Sequence, residues 1–432
     1  MNKEEKRIVP QLRFPEFEKD KEWNRKSIDS LVKDNIIYPQ KDGNHGNIHP
    51  KSSDFVPKGI PFIMASDIRN GEIDYYNCKH ISKEQADNLQ KGFAKENDVL
   101  LTHKGTVGEV AIIRENEFPY LMLTPQVTYY RIKNKSKLSN EFLRSFFLCG
   151  DFQKILLDTS GGGTRAYVGI TAQGKLNITL PPTLLEQQKI ANCLSSLDDV
   201  INAATEKLDL LKDHKKGLLQ QLFPAEGQTQ PKFRFPEFKN DGNWEEKKVE
   251  VACDKPFSGG TPKSNNPKFY GGSIPFIRSA EIDKETTELY LTEEGLKNSS
   301  AKLVKKGAVL IAMYGANSGD VAISKIDGAI NQAILCLRSK TNNSFLFQYL
   351  THKKNWITNK YLQGGQGNLS GDIIKSVELL FPKKTKEQQI IANCLSAVDE
   401  LITVQEKKIK QLKDHKKGLL QQLFPTINEL TI

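Results

Sequence analysis

The stretch EQQKIANCLSSLDDVI at residues 186–201 returns as EQQIIANCLSAVDELI at residues 387–402. The offset of 201 runs on to KDHKKGLLQQLFP, at 212–224 and again at 413–425, and 26 of the 39 aligned residues are identical. Identity on this scale marks an internal duplication. In the first copy the apolar positions alternate in steps of four and three through Ile190, Leu194, Leu197, Ile201, Ala204, Leu208 and Leu211, resuming at Leu218 and Leu222 after Lys215 breaks the series. The second copy repeats the stripe through Ile391, Leu395, Val398, Ile402, Gln405, Ile409 and Leu412, then Leu419 and Leu423. That alternation is a heptad seam, and two matching seams in one chain predict two long helices packed on each other. Pro182 and Pro382 precede the segments, Pro224 and Pro425 stop them, and no proline lies inside, as helix termination by a residue without an N–H requires. About 36 residues at about 1.5 Å rise make a rod about 54 Å long. It exceeds one turn of B-DNA, about 34 Å.

Outward from the helices the duplication continues more faintly. RFPEF at residues 13–17 recurs at 234–238, each followed by a tryptophan, Trp23 and Trp244. Gly59-Ile-Pro-Phe-Ile63 matches Ser273-Ile-Pro-Phe-Ile277, and Val99-Leu-Leu with Gly105, Gly108 and Ala111 matches Val309-Leu-Ile with Gly315, Gly319 and Ala322. The chain is cyclically two-fold, which places its ends near each other. Short β-rich runs such as Gln126–Ile132 and Ala308–Ala312, with helical stretches around Asn140–Leu157 and Ser344–Leu362, make each inter-helix region α+β by pattern. The resulting division is 1–184 and 246–384 for two α+β domains, 185–223 and 385–424 for the long helices, 224–245 for a linker and 425–432 for a tail.

Composition bounds what the chain can do. It is 38% hydrophobic and 26% charged over 432 residues with a mean hydropathy of −0.50, the balance of a folded, soluble protein. No run approaches a membrane span and the first residues lack the apolar core of a signal peptide, which predicts a cytoplasmic protein. The six cysteines show no CxxC pairing, so reduced structural thiols are expected. The net charge of +10 permits a polyanionic partner. No Walker loop, HExxH, convincing dinucleotide fingerprint or amino-methyltransferase motif occurs, and the seven histidines have no metal-ligand spacing. No catalytic residue and no metal are assigned, and an enzyme reading has no motif to stand on.

Glycine-rich polar loops follow the predicted strands, at 103–108, 160–167, 314–319 and 363–368. Glycine lets backbone approach closely, and the interleaved Arg, Lys, Asn, Gln and Thr are the side chains that contact base edges and phosphates. Candidate DNA contacts are Lys104, Thr106, Gln126, Arg165 and Tyr167 in the first domain. In the second they are Thr261, Lys263, Tyr314, Asn317, Gln332, Gln366 and Asn368. The plain alternative is that these residues only hydrate tight turns. Helices that merely staple two domains need matching apolar stripes, yet these also share polar residues taken as exposed: Gln187, Gln188, Asn192, Lys212, His214 and Lys216, with Gln388, Gln389, Asn393, Lys413, His415 and Lys417. Duplicated surface predicts the same site offered to two copies of one partner. A coiled-coil scaffold that never touches DNA is the rival reading.

The twice-occurring Glu-Gln-x-x-Ile-Ala-x-x-Leu-x-x-x-Asp, at Glu186–Asp198 and Glu387–Asp399, each after a Leu-x-Pro turn and leading to Gly-Leu-Leu-Gln-Gln-Leu-Phe, resembles the specificity subunits of type I restriction-modification systems over essentially the whole chain. Gly259-Gly-Thr-Pro262 and Ile330-Asn-Gln332 strengthen the resemblance in the second half. The first half departs, with Gly43-Asn-His-Gly46 and with Pro125-Gln126 in place of Asn-Gln. The resemblance implies two target-recognition domains in pseudo-two-fold arrangement, separated by two long antiparallel coiled-coil helices. It also implies a bipartite, asymmetric double-stranded DNA target, two modification (methyltransferase) subunits, and restriction/translocase subunits. S-adenosylmethionine, ATP and Mg would belong to those partners and none to this chain.

Overall fold

The computed structural model describes residues 8–426 except 70, 162–165 and 362–367. It divides into two compact units, residues up to 204 with those from 408 onward, and residues 205–407. The two long helices, Leu184–Leu222 and Thr385–Gln422, are therefore each shared between the units.

In the first unit Ile190 and Leu194 of the first long helix share a core with Leu419 and Leu423 at the end of the second. Asp198 accepts a hydrogen bond from Lys416. Numbers rise along one helix as they fall along the other, so the pair is antiparallel. The second unit repeats this with Ile391 and Leu395 against Leu218 and Leu222, and Lys215 pairs with Asp399 at 2.6 Å. Lys215 and Lys416, which interrupt the apolar seams, are thus held by the aspartate that ends each repeated motif. Gln348 Nε2 also donates to Asp399 (2.6 Å), and Arg144 Nη1 to Asp198 (3.1 Å). A lysine is tolerated on the seam because its stem packs while its ammonium is paired.

Phe424 sits in the first core against Trp23, Phe142 and Phe146, at centroid distances of 6.1, 5.7 and 5.8 Å. Phe223 stacks on Tyr349 at 4.3 Å in the second. The Leu-Phe-Pro ending each helix therefore closes the unit at that end. The RFPEF echo acquires its reason here. Arg13 donates to both oxygens of buried Glu186 (2.7 and 2.8 Å), and Trp23 Nε1 donates to the same carboxylate at 3.1 Å. Arg234 and Trp244 do the same to Glu387, at 2.8, 2.9 and 3.2 Å. A buried carboxylate persists only with such partners, so the three residues recur together. Leu12 N–H donates to Gln422 O, and Phe233 N–H to Gln221 O, both at 2.9 Å. Head beside tail thus repeats linker beside helix end.

Each unit is built from matching sheets. An antiparallel four-stranded sheet orders Thr106–Ile112, Val99–Lys104, Val127–Tyr130 and Lys41–Asp42. Its counterpart runs Val321–Ile323, Val309–Ala312, Ile334–Leu337 and Phe257–Ser258. Beside it, Ile60–Ile63 runs parallel to Leu121–Leu123, as Tyr270–Ile277 does to Gly328–Ile330. One expected helix is broken: Asn140–Leu148 and Gly150–Thr159 are separated at Cys149, whose backbone is extended (φ −67°, ψ 146°). The matching helix, Asn343–Tyr361, is continuous; Phe142 and Phe345 pack alike on Trp23 and Trp244, which sets His352 and Lys353 where the first copy has Cys149 and Gly150. Glycine is the poorer helix former.

Candidate nucleic-acid interface

In the first unit three remote segments meet at one strand end. The strand ending at Lys104 turns through Gly105, at φ +80°, into the next strand, where Thr106 faces Lys104. That left-handed conformation favours glycine. His103 N–H donates to Gln126 O and Val168 N–H to His103 O, both at 2.9 Å. Lys104 and Tyr167 bridge, with Lys104 Nζ 5.8 Å from the Tyr167 ring centre. Lys104, Thr106, Gln126 and Tyr167 are therefore neighbours although separated by up to 63 positions. Tyr167 is 46% exposed, and Gln126 is half-buried, its Oε1 accepting from Ala65 N–H at 3.5 Å. Arg165 lies outside the described residues.

The second unit repeats the backbone arrangement. Met313 N–H donates to Ala333 O at 2.8 Å and Leu369 N–H to Met313 O at 2.9 Å, gathering Tyr314, Gln332 and Asn368, all exposed. Asn317 ends the turn Gly315–Asn317, and Ser318 Oγ donates to Met313 O at 2.9 Å. Thr261 Oγ1 donates to Gln332 Oε1 at 2.6 Å, which leaves the Gln332 amide N–H groups outward. Lys263 is exposed in the following turn, where Asn266 N–H donates to its carbonyl. Gln366 lies outside the described residues.

The strand register corrects one correspondence. Thr102 pairs with Val127 and Ala312 with Ile334, so Thr124-Pro125-Gln126 occupies the place of Asn331-Gln332-Ala333. Gln126 stands one residue beyond Gln332. The apparent departure Gly43-Asn-His-Gly46 also resolves. Gly43 N–H donates to Thr124 O (3.3 Å) as Gly259 N–H does to Asn331 O (3.2 Å). A Cβ would fall 1.9 Å from Leu123 O at Gly43 and 1.8 Å from Ile330 O at Gly259. Only glycine fits either position.

His103 was not singled out by sequence, because one histidine in a polar loop carries no signal. It is fully buried, its Nδ1 lies 3.0 Å from Val168 O, and burial pushes its pKa down to about 4. The neutral ring donates through Nδ1. The same carbonyl accepts from Gln173 Nε2 at 2.8 Å, and Tyr130 Oη donates to Gln173 Oε1 at 2.6 Å. This network anchors the segment that presents Tyr167. Met313 takes the His103 position in the second unit.

On the long helices the exposure of two residues is corrected. Gln187 and Gln388 are buried, at 2% and 3%. Gln187 Oε1 accepts from Ser139 N–H and its Nε2 donates to Lys137 O, both at 3.0 Å. Gln388 Oε1 accepts from Thr341 Oγ1 at 2.7 Å. Their duplication is explained by this anchoring alone. Gln188, Asn192, Lys413, His415 and Lys417 are exposed in the first unit, and Gln389, Asn393, Lys212, His214 and Lys216 in the second. Each unit thus combines matching residues from both repeats. Lys212 pairs with Glu406 at 3.0 Å, and Gln389 bonds Asn342 and Asn393. Among the described residues no cluster of three or more His, Cys, Asp or Glu could hold a metal, all six cysteines are free, and no helix is long and apolar enough to cross a membrane.

The family model for the type I restriction modification DNA specificity domain matches twice, over residues 23–212 and 241–414. A putative type I restriction enzyme MjaX specificity subunit of Methanocaldococcus jannaschii is 27% identical over 387 residues, covering 85% of this chain and 86% of its own length. The MjaVIII specificity subunit of the same organism is 23% identical, covering 84% and 88%. The crystal structure of a type I S subunit from M. genitalium superposes with a TM-score of 0.62 at 15% identity, over 98% of this chain and 100% of that one. A chain from a study of type I complex assembly and conformational transition gives 0.57 at 17% identity, over 94% and 98%. The duplicated helices, the paired junctions and these matches agree: the chain belongs to the type I restriction-modification DNA specificity family, as a target-recognising subunit that is not itself an enzyme.

Proposed function

We propose that the two units read different halves of one bipartite, asymmetric DNA target, and that the long helices recruit modification subunits, with restriction subunits joining the complex. The observation that carries this reading is the paired junction: one backbone arrangement presents Lys104, Thr106, Gln126 and Tyr167 in one unit and Thr261, Tyr314, Gln332 and Asn368 in the other. Phosphate contacts give affinity and orientation, while hydrogen bonds to base edges give sequence. Lysine suits guanine edges and phosphates, and glutamine or asparagine suits adenine. Different side chains on the same frame read different bases. Arg165, Lys263, Asn317 and Gln366 complete the proposed reading sets.

The exposed residues Gln188, Asn192, Lys413, His415 and Lys417, with their second-unit equivalents, offer two copies of one surface to two modification subunits. The chemistry resides in partners: S-adenosylmethionine with the modification subunits, ATP and Mg with the restriction subunits. Methylation of an adenine requires the base to leave the stack, a step that falls to the partner after this chain sets the register.

The test is to co-express the chain with its modification subunit and map methylated adenines genome-wide. A single motif with two unlike specified halves and methylation in both is the expected outcome. A palindromic motif, or none from a stable complex, refutes the reading.

A further inference from the structure

The two units carry equivalent junctions but unlike flanks. Val168 N–H to His103 O corresponds to Leu369 N–H to Met313 O, while Phe142 and Phe345 hold matching places against Trp23 and Trp244 at the start of the preceding helices. The helix Gly150–Thr159 and the end of the helix Asn343–Tyr361 therefore occupy equivalent stretches of the two units. Both segments press on the reading loop in the same way. A Cβ on Gly108 would fall 2.2 Å from Gln153 Oε1, and one on Gly319 would fall 2.7 Å from Thr358 Cγ2. The first segment holds Asp151 and Asp158 against Lys154, a net charge of −1. The second holds Lys353, Lys354 and Lys360 with no carboxylate, a net charge of +3; the whole helix Asn343–Tyr361 contains no acidic residue.

Lys354 is neutralised by Asp320. Lys353 and Lys360 have no ion-pair partner among the described residues. They flank the Trp356 ring, at 5.7 and 4.6 Å from its centre, and Lys360 also lies 5.5 Å from that of Tyr361. The helix Gly150–Thr159 of the first unit carries a single lysine, Lys154, and a single aromatic residue, the buried Phe152. Ammonium groups laid over aromatic faces are preorganised yet keep N–H donors for an anion. Because Thr358 and Lys354 of the same helix lie against Gly319, a duplex read by the loop 314–319 would bring its backbone alongside the helix end.

We propose that the end of this helix, through Lys353 and Lys360 set on Trp356 and Tyr361, is a docking surface for the DNA sugar-phosphate backbone that only the second unit possesses. The two half-sites are then held unequally: the second unit supplies the larger share of sequence-independent grip, and the first depends more on its base contacts. The inference rests on the proposed reading junctions.

The test uses the full chain assembled with its modification subunits and a fluorescein-labelled duplex of arbitrary sequence, with binding followed by anisotropy over a series of KCl concentrations. Each phosphate neutralised contributes about 0.9 to the slope of log affinity against log salt. Lys353→Gln with Lys360→Gln should flatten the slope by about 1.8, Lys360→Gln alone by about 0.9, and Lys360→Arg should leave it unchanged. Lys360 is exposed, so the single variant remains informative if the double variant folds poorly. An unchanged slope in Lys360→Gln overturns the proposal while leaving the reading junctions standing. Failure of the wild-type complex to bind any duplex refutes the junctions and this surface together.

Discussion

Phe424→Ala tests the arrangement in which a helix end more than 400 positions from Trp23 completes the first core. Phe424 is 3% exposed and touches three rings, Trp23, Phe142 and Phe146. Truncating a buried phenylalanine costs about 3–5 kcal/mol through lost transfer energy and the cavity left behind. At about 1.4 kcal/mol per tenfold, that raises the exchange of globally protected amides by about 10²- to 10⁴-fold. Hydrogen exchange with mass spectrometry resolves where the loss falls. Peptides from 99–180 and 184–204 should lose protection in Phe424→Ala, and peptides from 309–381 and 385–407 in Phe223→Ala. Unchanged exchange in the first unit of Phe424→Ala would refute the reasoning, as would indistinguishable patterns in the two variants.

Glu186→Gln leaves the Arg13 guanidinium, 6% exposed beside a carboxylate 1% exposed, without its counter-charge. A broken buried pair costs about 3–5 kcal/mol, which chemical denaturation of the full chain should show and Glu186→Asp should partly restore. His103 is held neutral, its folded pKa of about 4 lying below its unfolded value of about 6.5. Between these values the unfolded state binds the extra proton, so stability falls as pH drops from about 6.5 toward 4, by up to about 3 kcal/mol. In His103→Met, which places the second unit's residue there, the acid-side slope for the first unit should shrink; an identical pH profile would refute the assignment. Gln332→Ala should change base preference in one half of the methylated motif by about 1–3 kcal/mol of discrimination and leave the other half intact. Loss of preference in neither half would remove Gln332 from the reading surface.

The duplication, the two long helices with their proline boundaries, the α+β character of the regions between them and the family resemblance were all legible in residue order, because periodicity and repetition are local properties of a chain. The lack of a catalytic motif was legible for the same reason. What residue order could not provide is partnership across distance. It showed Arg13, Trp23 and Glu186 as parts of separate echoes, and only folding brings them to one buried carboxylate. It marked Gln187 and Gln388 as duplicated surface, whereas they are buried anchors, because a polar side chain can be duplicated as well for a backbone contact as for a partner. It set Gln126 against Gln332, and the strand register moved that correspondence by one residue. The reading junctions show the same division most clearly. Glycine-rich loops were visible as loops, but the meeting of 103–106, 126 and 166–168 depends on hydrogen bonds between strands that are remote in sequence, and no local pattern encodes such pairs. The shared helices are the extreme case: two identical Leu-Phe-Pro endings do not say which core each one closes, and antiparallel packing assigns each to the unit that begins with the other repeat.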